Sequence, residues 1–275
     1  MVGISAIAFL SFPIISIVLA GIGNALFHVG GGSISLNLTP KKVTAPGIYV
    51  APGALGLFIG IMLGKSGGFV ASPFILALLI LCLLMFVIKK PEMDYVREEV
   101  KKIRFNYFEL ILLLVFLSIT IRSLVGMLMV FPWKTNIDLA IILTIAIVLG
   151  KGLGGILADK FGWIRIAVGA LVLSIPFLVF GANIPFLAII GMFLFNITMP
   201  ITLVAISNIL PGRPGFAFGI TCLALILGAL PAFSGLKQLL GGQSFIFIII
   251  VISVLALFYA LRTYFKNYQK EALVD

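Results

Sequence analysis

Three groups of polar side chains lie near the middle of long apolar stretches of this sequence. They are Asn24 with His28, Arg122 with Ser118 and Ser123, and Asn196 with Thr198 and Pro200. Polar side chains inside a membrane-spanning helix are costly and commonly functional, because hydrocarbon offers them no water. The candidate binding residues are therefore Asn24, His28, Arg122, Asn196 and Thr198.

Arg122 has the most specific chemistry of this set. Its guanidinium stays charged and offers five N–H donors, which suits a carboxylate or a phosphate-like group. Alternatively, it bonds neighbouring backbone carbonyls or extends to the membrane interface. Its position near the middle of an apolar stretch makes the interface harder to reach and favours a binding role.

The remaining candidates leave two interpretations open. His28 is the only histidine, and it can change charge near physiological pH. It could carry a coupling proton, or be a neutral packing residue bonded to Asn24 or to a carbonyl. Asn24 and Asn196 could bond helix to helix or contact a bound molecule. The carboxylates of Glu109 and Asp138 fall near helix starts, where negative charge is favoured.

The composition indicates a membrane protein. Of 275 residues, 62% are apolar and only 10% are charged, which is too apolar for a soluble domain. The sequence predicts an all-α, polytopic transmembrane helical bundle with nine complete spans. These are residues 13–37, 44–63, 69–88, 108–131, 138–157, 164–180, 185–210, 215–233 and 245–264.

Basic residues predict the orientation and divide the chain. Residues 89–105 form a basic linker between residues 1–88, with three spans, and residues 106–275, with six spans. With this linker in the cytoplasm, fifteen basic residues, Lys151 among them, belong to inside segments and three to outside loops. That bias follows the positive-inside rule and predicts a cytoplasmic C-terminus. It argues against nucleic acid as the reason for the net charge of +10.

One charged turn joins two of the predicted spans. It reads Gly155-Ile-Leu-Ala-Asp159-Lys160-Phe-Gly162-Trp-Ile-Arg165. We predict that the first helix ends at residue 157 and the next begins near residue 164. Gly155 would let a neighbouring helix approach, and Gly162 would permit a positive φ. An ordinary cytoplasmic turn with a helix cap is the alternative interpretation.

This turn resembles the loop G-x-L-a-D-(R/K)-x-G-R of the major facilitator superfamily. Trp163 stands where that family usually has a basic residue, and Arg165 follows two positions later. The resemblance implies that the Asp159 carboxylate meets the N-terminus of a helix in the other half when the cytoplasmic side is closed. That helix would begin near Thr44. The contact would break when the halves rock apart, so it would bias a two-state equilibrium.

An internal repeat favours the same family. A shift of 172 positions pairs Pro13 with Pro185, Asn24 with Asn196, Ser35 with Ser207, Gly47 with Gly219, and Gly56 with Gly228. Parallel repeats relate the two halves of such transporters, although chance agreement in a biased composition is the alternative. By this repeat, the chain corresponds to a twelve-helix fold lacking roughly its first two and a half helices. An internal Met start, a fragmentary gene and a true short form are all compatible with that.

Further segments resemble subgroups of the family. Pro52, Gly53 and Gly56 belong to a stretch similar to the proline–glycine motif on the fifth helix of drug antiporters, which implies a hinge. Close helix packing explains the same residues without antiport. Residues 23–28 and 121–123 look like stretches of the fosmidomycin-resistance exporters, with Val29 in place of a usual proline.

The resemblance implies a secondary transporter of the cell (inner or plasma) membrane, working by alternating access. The helices carrying the candidate residues would be the fourth, seventh and tenth, which line the central cavity of that fold. Its partners would be a small organic solute, the lipid bilayer and protons, with efflux by proton antiport as the expected direction. Uptake of an organic anion, or a non-transporting fragment or scaffold, are the alternatives. We expect neither an enzyme nor a metal or other cofactor.

Overall fold

The structure is a computed structural model that describes residues 1–9, 11–67, 70–89, 107–234, 236 and 240–271, with side chains up to residue 267. Within these ranges every regular element is a helix. The α-helices are α1 (Val2–Ala8), α2 (Pro13–Leu38), α3 (Thr44–Val50), α4 (Pro52–Lys65), α5 (Ser72–Val87), α6 (Phe108–Leu128), α7 (Ile137–Phe161), α8 (Trp163–Val179), α9 (Pro185–Ile209), α10 (Pro214–Ala229) and α11 (Gln243–Glu271). Short 3₁₀ helices lie at Pro132–Thr135 and Leu230–Phe233.

Each of the nine predicted spans coincides with helix in the structure. Seven helical segments are long and apolar enough to cross a membrane, with α3 and α4 counted as one. The other two, α5 and α8, are apolar but shorter, with 16 and 17 residues. The chain therefore has the helices of a multi-pass membrane protein. Nearly all of the predicted basic linker, from residue 90 onward, lies outside the described residues.

The helix starts follow local chemistry. The first helical positions of α2, α9 and α10 carry proline, whose fixed φ and missing N–H suit that position. Helix α7 begins instead with an Asn136 cap, whose side-chain oxygen accepts the N–H of Asp138 at 2.9 Å. Glu109 and Asp138 lie in the first turns of α6 and α7, as predicted.

Helix α9 is the centre of the better-packed part of the molecule. It packs against α7, α8, α6 and α10. In α9, 67% of an 18-residue apolar stretch is buried, whereas the corresponding share in α2 is 11%. Its approach to α7 depends on Gly154, because a Cβ there would lie 2.4 Å from the Ile197 carbonyl oxygen. Small residues of this kind let membrane helices pack backbone to backbone.

Some helix contacts follow the shift of 172 residues that the sequence predicts. Helix α1 packs against α2 and α5, and α8 packs in the same way against α9 and α11. The starts of α2 and α9, at Pro13 and Pro185, keep the shift of 172. The surroundings of paired glycines differ between the copies, as Gly56 and Gly228 show. A Cβ at Gly228 would lie 2.1 Å from the Thr120 carbonyl oxygen, whereas nothing lies within 4 Å of one at Gly56.

Candidate functional site

Arg122 is buried inside the helical bundle. It extends from α6 to α9, and only 7% of it is exposed. Its Nη1 donates a hydrogen bond to the Thr198 hydroxyl, and its Nη2 donates to the Thr202 hydroxyl at 2.8 Å. The two threonines are one helical turn apart, so the planar guanidinium meets both hydroxyls at once.

The local structure of α9 explains why two hydroxyls face Arg122. Their protons are already used within the helix, because Thr198 donates to the Phe195 carbonyl at 3.0 Å and Thr202 to that of Met199 at 2.9 Å. The hydroxyl oxygens are therefore left as acceptors. Pro200 lies between them and has no N–H to donate to the carbonyl four residues earlier. This turn of α9 is consequently a polar patch in an apolar helix.

The charge of Arg122 has no negative partner in the described part of the chain. The carboxylates described there belong to Glu109 and Asp138, which are exposed at helix starts, and to Asp159, which binds α3. The buried Nε of Arg122 makes no hydrogen bond. A buried cation without a counter-charge is costly. The site therefore has one positive charge without a negative partner and one N–H group, that of Nε, without an acceptor.

Lys151 is a second cation of this region. It was counted among residues of cytoplasmic segments, whereas the structure puts it inside α7, partly buried. Its carbonyl oxygen lies 3.0 Å, and Pro200 Cβ of α9 lies 3.4 Å, from a Cβ built at Gly47. Helical register would have located it, since it precedes Asp159 by eight residues, about 12 Å along a helix. Thr202 was likewise missed, although it lies one turn beyond the predicted Thr198.

Asn196 lies beside α7 but bonds within its own helix. Its side-chain nitrogen donates to the Met192 carbonyl oxygen at 2.8 Å. Its Cβ would be 3.2 Å from a Cβ built at Gly150. The hydrogen bond between helices that was one interpretation of this residue is therefore not the bond that the structure describes.

Asn24 and His28 lie in a different place from Arg122. Asn24 is exposed, and His28 Nδ1 lies 2.9 Å from the Asn24 carbonyl oxygen. The His28 ring packs near Phe218 of α10, with 6.1 Å between ring centroids. Tyr49 of α3 joins the same aromatic group and donates to the Phe27 carbonyl at 3.1 Å. The five predicted residues therefore divide, with Arg122 and Thr198 in direct contact and the α2 pair joined to each other.

The charged turn is shorter than predicted. Helix α7 continues through Phe161 and α8 begins at Trp163, which leaves Gly162 as the sole connecting residue. Gly162 has φ +94°, the positive value expected there. Trp163 is buried and stacks on Tyr264 of α11, with 6.1 Å between centroids. An apolar packing contact thus occupies the position where the resembling family usually has a basic residue.

Asp159 caps the N-terminus of α3. Its carboxylate accepts the backbone N–H of Val43 at 2.9 Å and of Thr44 at 2.9 Å, and the Thr44 hydroxyl at 2.6 Å. No side chain of α3 itself caps that end, so Asp159 satisfies N–H groups that would otherwise lack partners. The contact expected between Asp159 and a helix beginning near Thr44 is therefore confirmed. We call this contact, formed by Asp159, Val43 and Thr44, the Asp159 latch.

Gly155 makes room for the Asp159 latch. A Cβ at Gly155 would lie 2.5 Å from the Val43 carbonyl oxygen, so any larger residue would separate α7 from the start of α3. This confirms the close approach predicted at Gly155. Lys160 and Arg165 are both exposed, and the structure describes no hydrogen bond from either side chain to α3.

The predicted hinge residues interrupt a helix. Ala51 separates α3 from α4, and α4 starts at Pro52, which divides the predicted span 44–63. Gly53 and Gly56 have no atom within 4 Å of a built Cβ. The packing alternative therefore does not explain these two glycines in the described structure.

Comparison with protein-family models and with curated proteins finds no match for this chain. Within the described residues, no group of three His, Cys, Asp or Glu side chains could hold a metal ion.

Proposed function

We propose that this chain is a secondary transporter of the major facilitator type, which carries a small organic solute across the cell membrane by alternating access. The observation that carries the proposal is the Asp159 latch. It joins α7, from the second predicted half, to the first turn of α3, from the first half.

The chemistry of the Asp159 latch suits a contact that forms and breaks. Hydrogen bonds from N–H groups to a carboxylate are stronger than neutral ones, and the helix dipole adds to them. Asp159 itself is exposed, so water can replace Val43 and Thr44 as its partners when the helices separate. An exposed polar contact of this kind can bias two states without locking either one.

The repeat supports the same fold. Alternating access moves two similar helical halves about a central site. The contacts of α1 with α2 and α5 resemble those of α8 with α9 and α11, which supports two such halves. Arg122, buried where α6 meets α9, supplies a polar site among these helices. Proton-coupled efflux is the proposed direction. His28 is the proposed proton carrier, since it is the chain's only histidine.

The conformational part of this proposal can be tested without knowing the substrate. Spin labels at Lys42→Cys and Arg165→Cys, in a background lacking Cys82 and Cys222, report the distance between α3 and α8 by double electron–electron resonance. We expect two distance populations, with the longer one enlarged several-fold by Asp159→Asn. Asp138→Asn is the matched control, since Asp138 is an exposed carboxylate on the same helix that makes no contact with α3. A single distance, the same in the labelled original chain, in Asp159→Asn and in Asp138→Asn, would contradict the proposal.

Direction and coupling need a flux measurement. In inside-out vesicles that hold an acidic interior, a transported compound should release protons and restore the fluorescence of a quenched pH dye. Release that depends on this chain and weakens in His28→Gln would support proton antiport. Solute uptake by right-side-out vesicles would instead favour the organic-anion importer. Absence of flux in either orientation would favour a non-transporting membrane protein.

A further inference from the structure

We infer that Arg122 and Lys151, together with Thr198 and Thr202, form a binding site for the carboxylate or phosphate group of a small anion. The inference rests on the proposed function, because it names the chemical class of the carried solute. It adds two residues, Lys151 and Thr202, to the proposed site, and it specifies that the bound solute carries a negative charge.

The charge balance around Arg122 favours a bound anion. Only 7% of Arg122 is exposed, and Lys151, a second cation, is partly buried in α7 with its backbone close to Pro200 of α9. Within the described ranges neither cation pairs with a carboxylate, as Asp159 is engaged by α3. Burying cations without counter-charges in a membrane protein raises its free energy. A bound anion would offset that cost.

The Lys151 backbone lies close to the part of α9 that binds Arg122. A Cβ built at Gly47 would lie 3.0 Å from the Lys151 carbonyl oxygen and 3.4 Å from Pro200 Cβ. The Lys151 backbone is therefore level with Pro200 along the bundle. Pro200 stands between Thr198 and Thr202, the two residues that Arg122 binds. Both cations thus belong to one layer of α6, α7 and α9.

One edge of the Arg122 guanidinium has no hydrogen-bond partner on its Nε. Both terminal nitrogens of Arg122 donate to threonine hydroxyls, while its buried Nε has no partner. Nε–H and one N–H of the adjacent terminal nitrogen form the edge that binds a carboxylate or phosphate with two parallel hydrogen bonds. The threonines hold the guanidinium plane, and the Nε–H edge is left buried without an acceptor, so an anion that reached it would satisfy this donor.

The test measures anion binding to the full chain purified in detergent. Thermal unfolding is followed by the fluorescence of Trp133 and Trp163 while sodium phosphate or sodium acetate is titrated at constant ionic strength in sodium chloride. We expect a saturable rise in Tm with at least one of the two anions. Lys151→Gln and Arg122→Gln should each weaken the apparent affinity at least tenfold. Glycerol, which is uncharged, should give no saturable rise.

Lys160→Gln is the matched control, because Lys160 is an exposed lysine on the same helix, outside the site. It should keep the affinity of the original chain. If Arg122→Gln does not fold, Lys151→Gln still decides the outcome. Equal affinity in all variants, or no saturable effect of either anion, would overturn the inference.

Two further arms separate related explanations. Adding phosphatidylglycerol tests whether a lipid headgroup occupies the site, since competition with phosphate would identify a lipid ligand and overturn the carried-solute inference. Failure of the proposed function is distinguishable, because it would appear as one spin-label distance while anion binding persists. Failure of the anion site alone would appear as two distances without saturable binding.

Discussion

The Thr44 hydroxyl donates to the Asp159 carboxylate at 2.6 Å, across 115 residues of chain. Thr44 also offers its backbone N–H to the same carboxylate at 2.9 Å. Thr44 therefore supplies two donors to the Asp159 latch. A substitution can remove the side-chain hydroxyl, whereas the backbone N–H stays in any variant other than proline. This difference allows the contact to be weakened in steps.

We expect Thr44→Val to weaken the Asp159 latch less than Asp159→Asn does. The valine removes the hydroxyl but keeps the N–H bonds of Val43 and Thr44, whereas the asparagine removes the charge from all of them. The fraction of the longer spin-label distance should rank Asp159→Asn above Thr44→Val, and Thr44→Ser should match the original chain. An unchanged fraction in Thr44→Val, with Asp159→Asn altered, would show that the hydroxyl contributes nothing.

We expect Gly155→Ala to separate α7 from the start of α3 and to destabilise the protein by about 1–3 kcal/mol, the usual range for overpacking. A Cβ at that position would lie 2.5 Å from the Val43 carbonyl. Gly152→Ala is the matched control, because the nearest atom, Ala51 Cβ, would be an ordinary 3.8 Å away. Thermal unfolding of both variants checks this, and equal stability would contradict the close approach.

The two repeat-related glycines should respond differently to alanine. Gly228→Ala should lower Tm, since its Cβ would meet the Thr120 carbonyl of α6 at 2.1 Å. Gly56→Ala should leave Tm unchanged or raise it, because the site is open and alanine is the better helix former. Both variants can be compared in one detergent. A loss at Gly56 as large as that at Gly228 would mean that α4 packs against something in solution.

Thr202→Val should destabilise the protein by about 1–3 kcal/mol, because it leaves a buried terminal nitrogen of Arg122 without an acceptor. Thr202→Ser should restore most of the loss. Thr221→Val is the control, as that buried hydroxyl bonds the Phe218 carbonyl of its own helix, at 2.6 Å, and accepts no bond from an arginine that the structure describes. Thermal unfolding is the measurement. Equal losses at the two threonines would argue that Arg122 does not depend on Thr202.

Much of the candidate site followed from local residue properties. Arg122 and Thr198 could be chosen because each stands in a long apolar stretch, and the structure joins them by a hydrogen bond. Asn24 and His28 met the same criterion, yet they lie on α2 with no described bond to Arg122. Polarity within an apolar stretch identifies an unusual side chain, but it carries no information about which side chains meet.

The sequence by itself determined the helices and one turn, because hydropathy and proline act within a few residues. Even the positive φ of Gly162 is a local property of a residue without a Cβ. Only the tertiary structure decided that Lys151 lies level with Pro200 along the bundle, and that Thr202 completes the pair of hydroxyls that Arg122 binds. Those neighbours lie on α6, α7 and α9, and contacts between helices depend on how the helices pack. The sequence therefore located the polar residues, and helix packing determined which of them share a site.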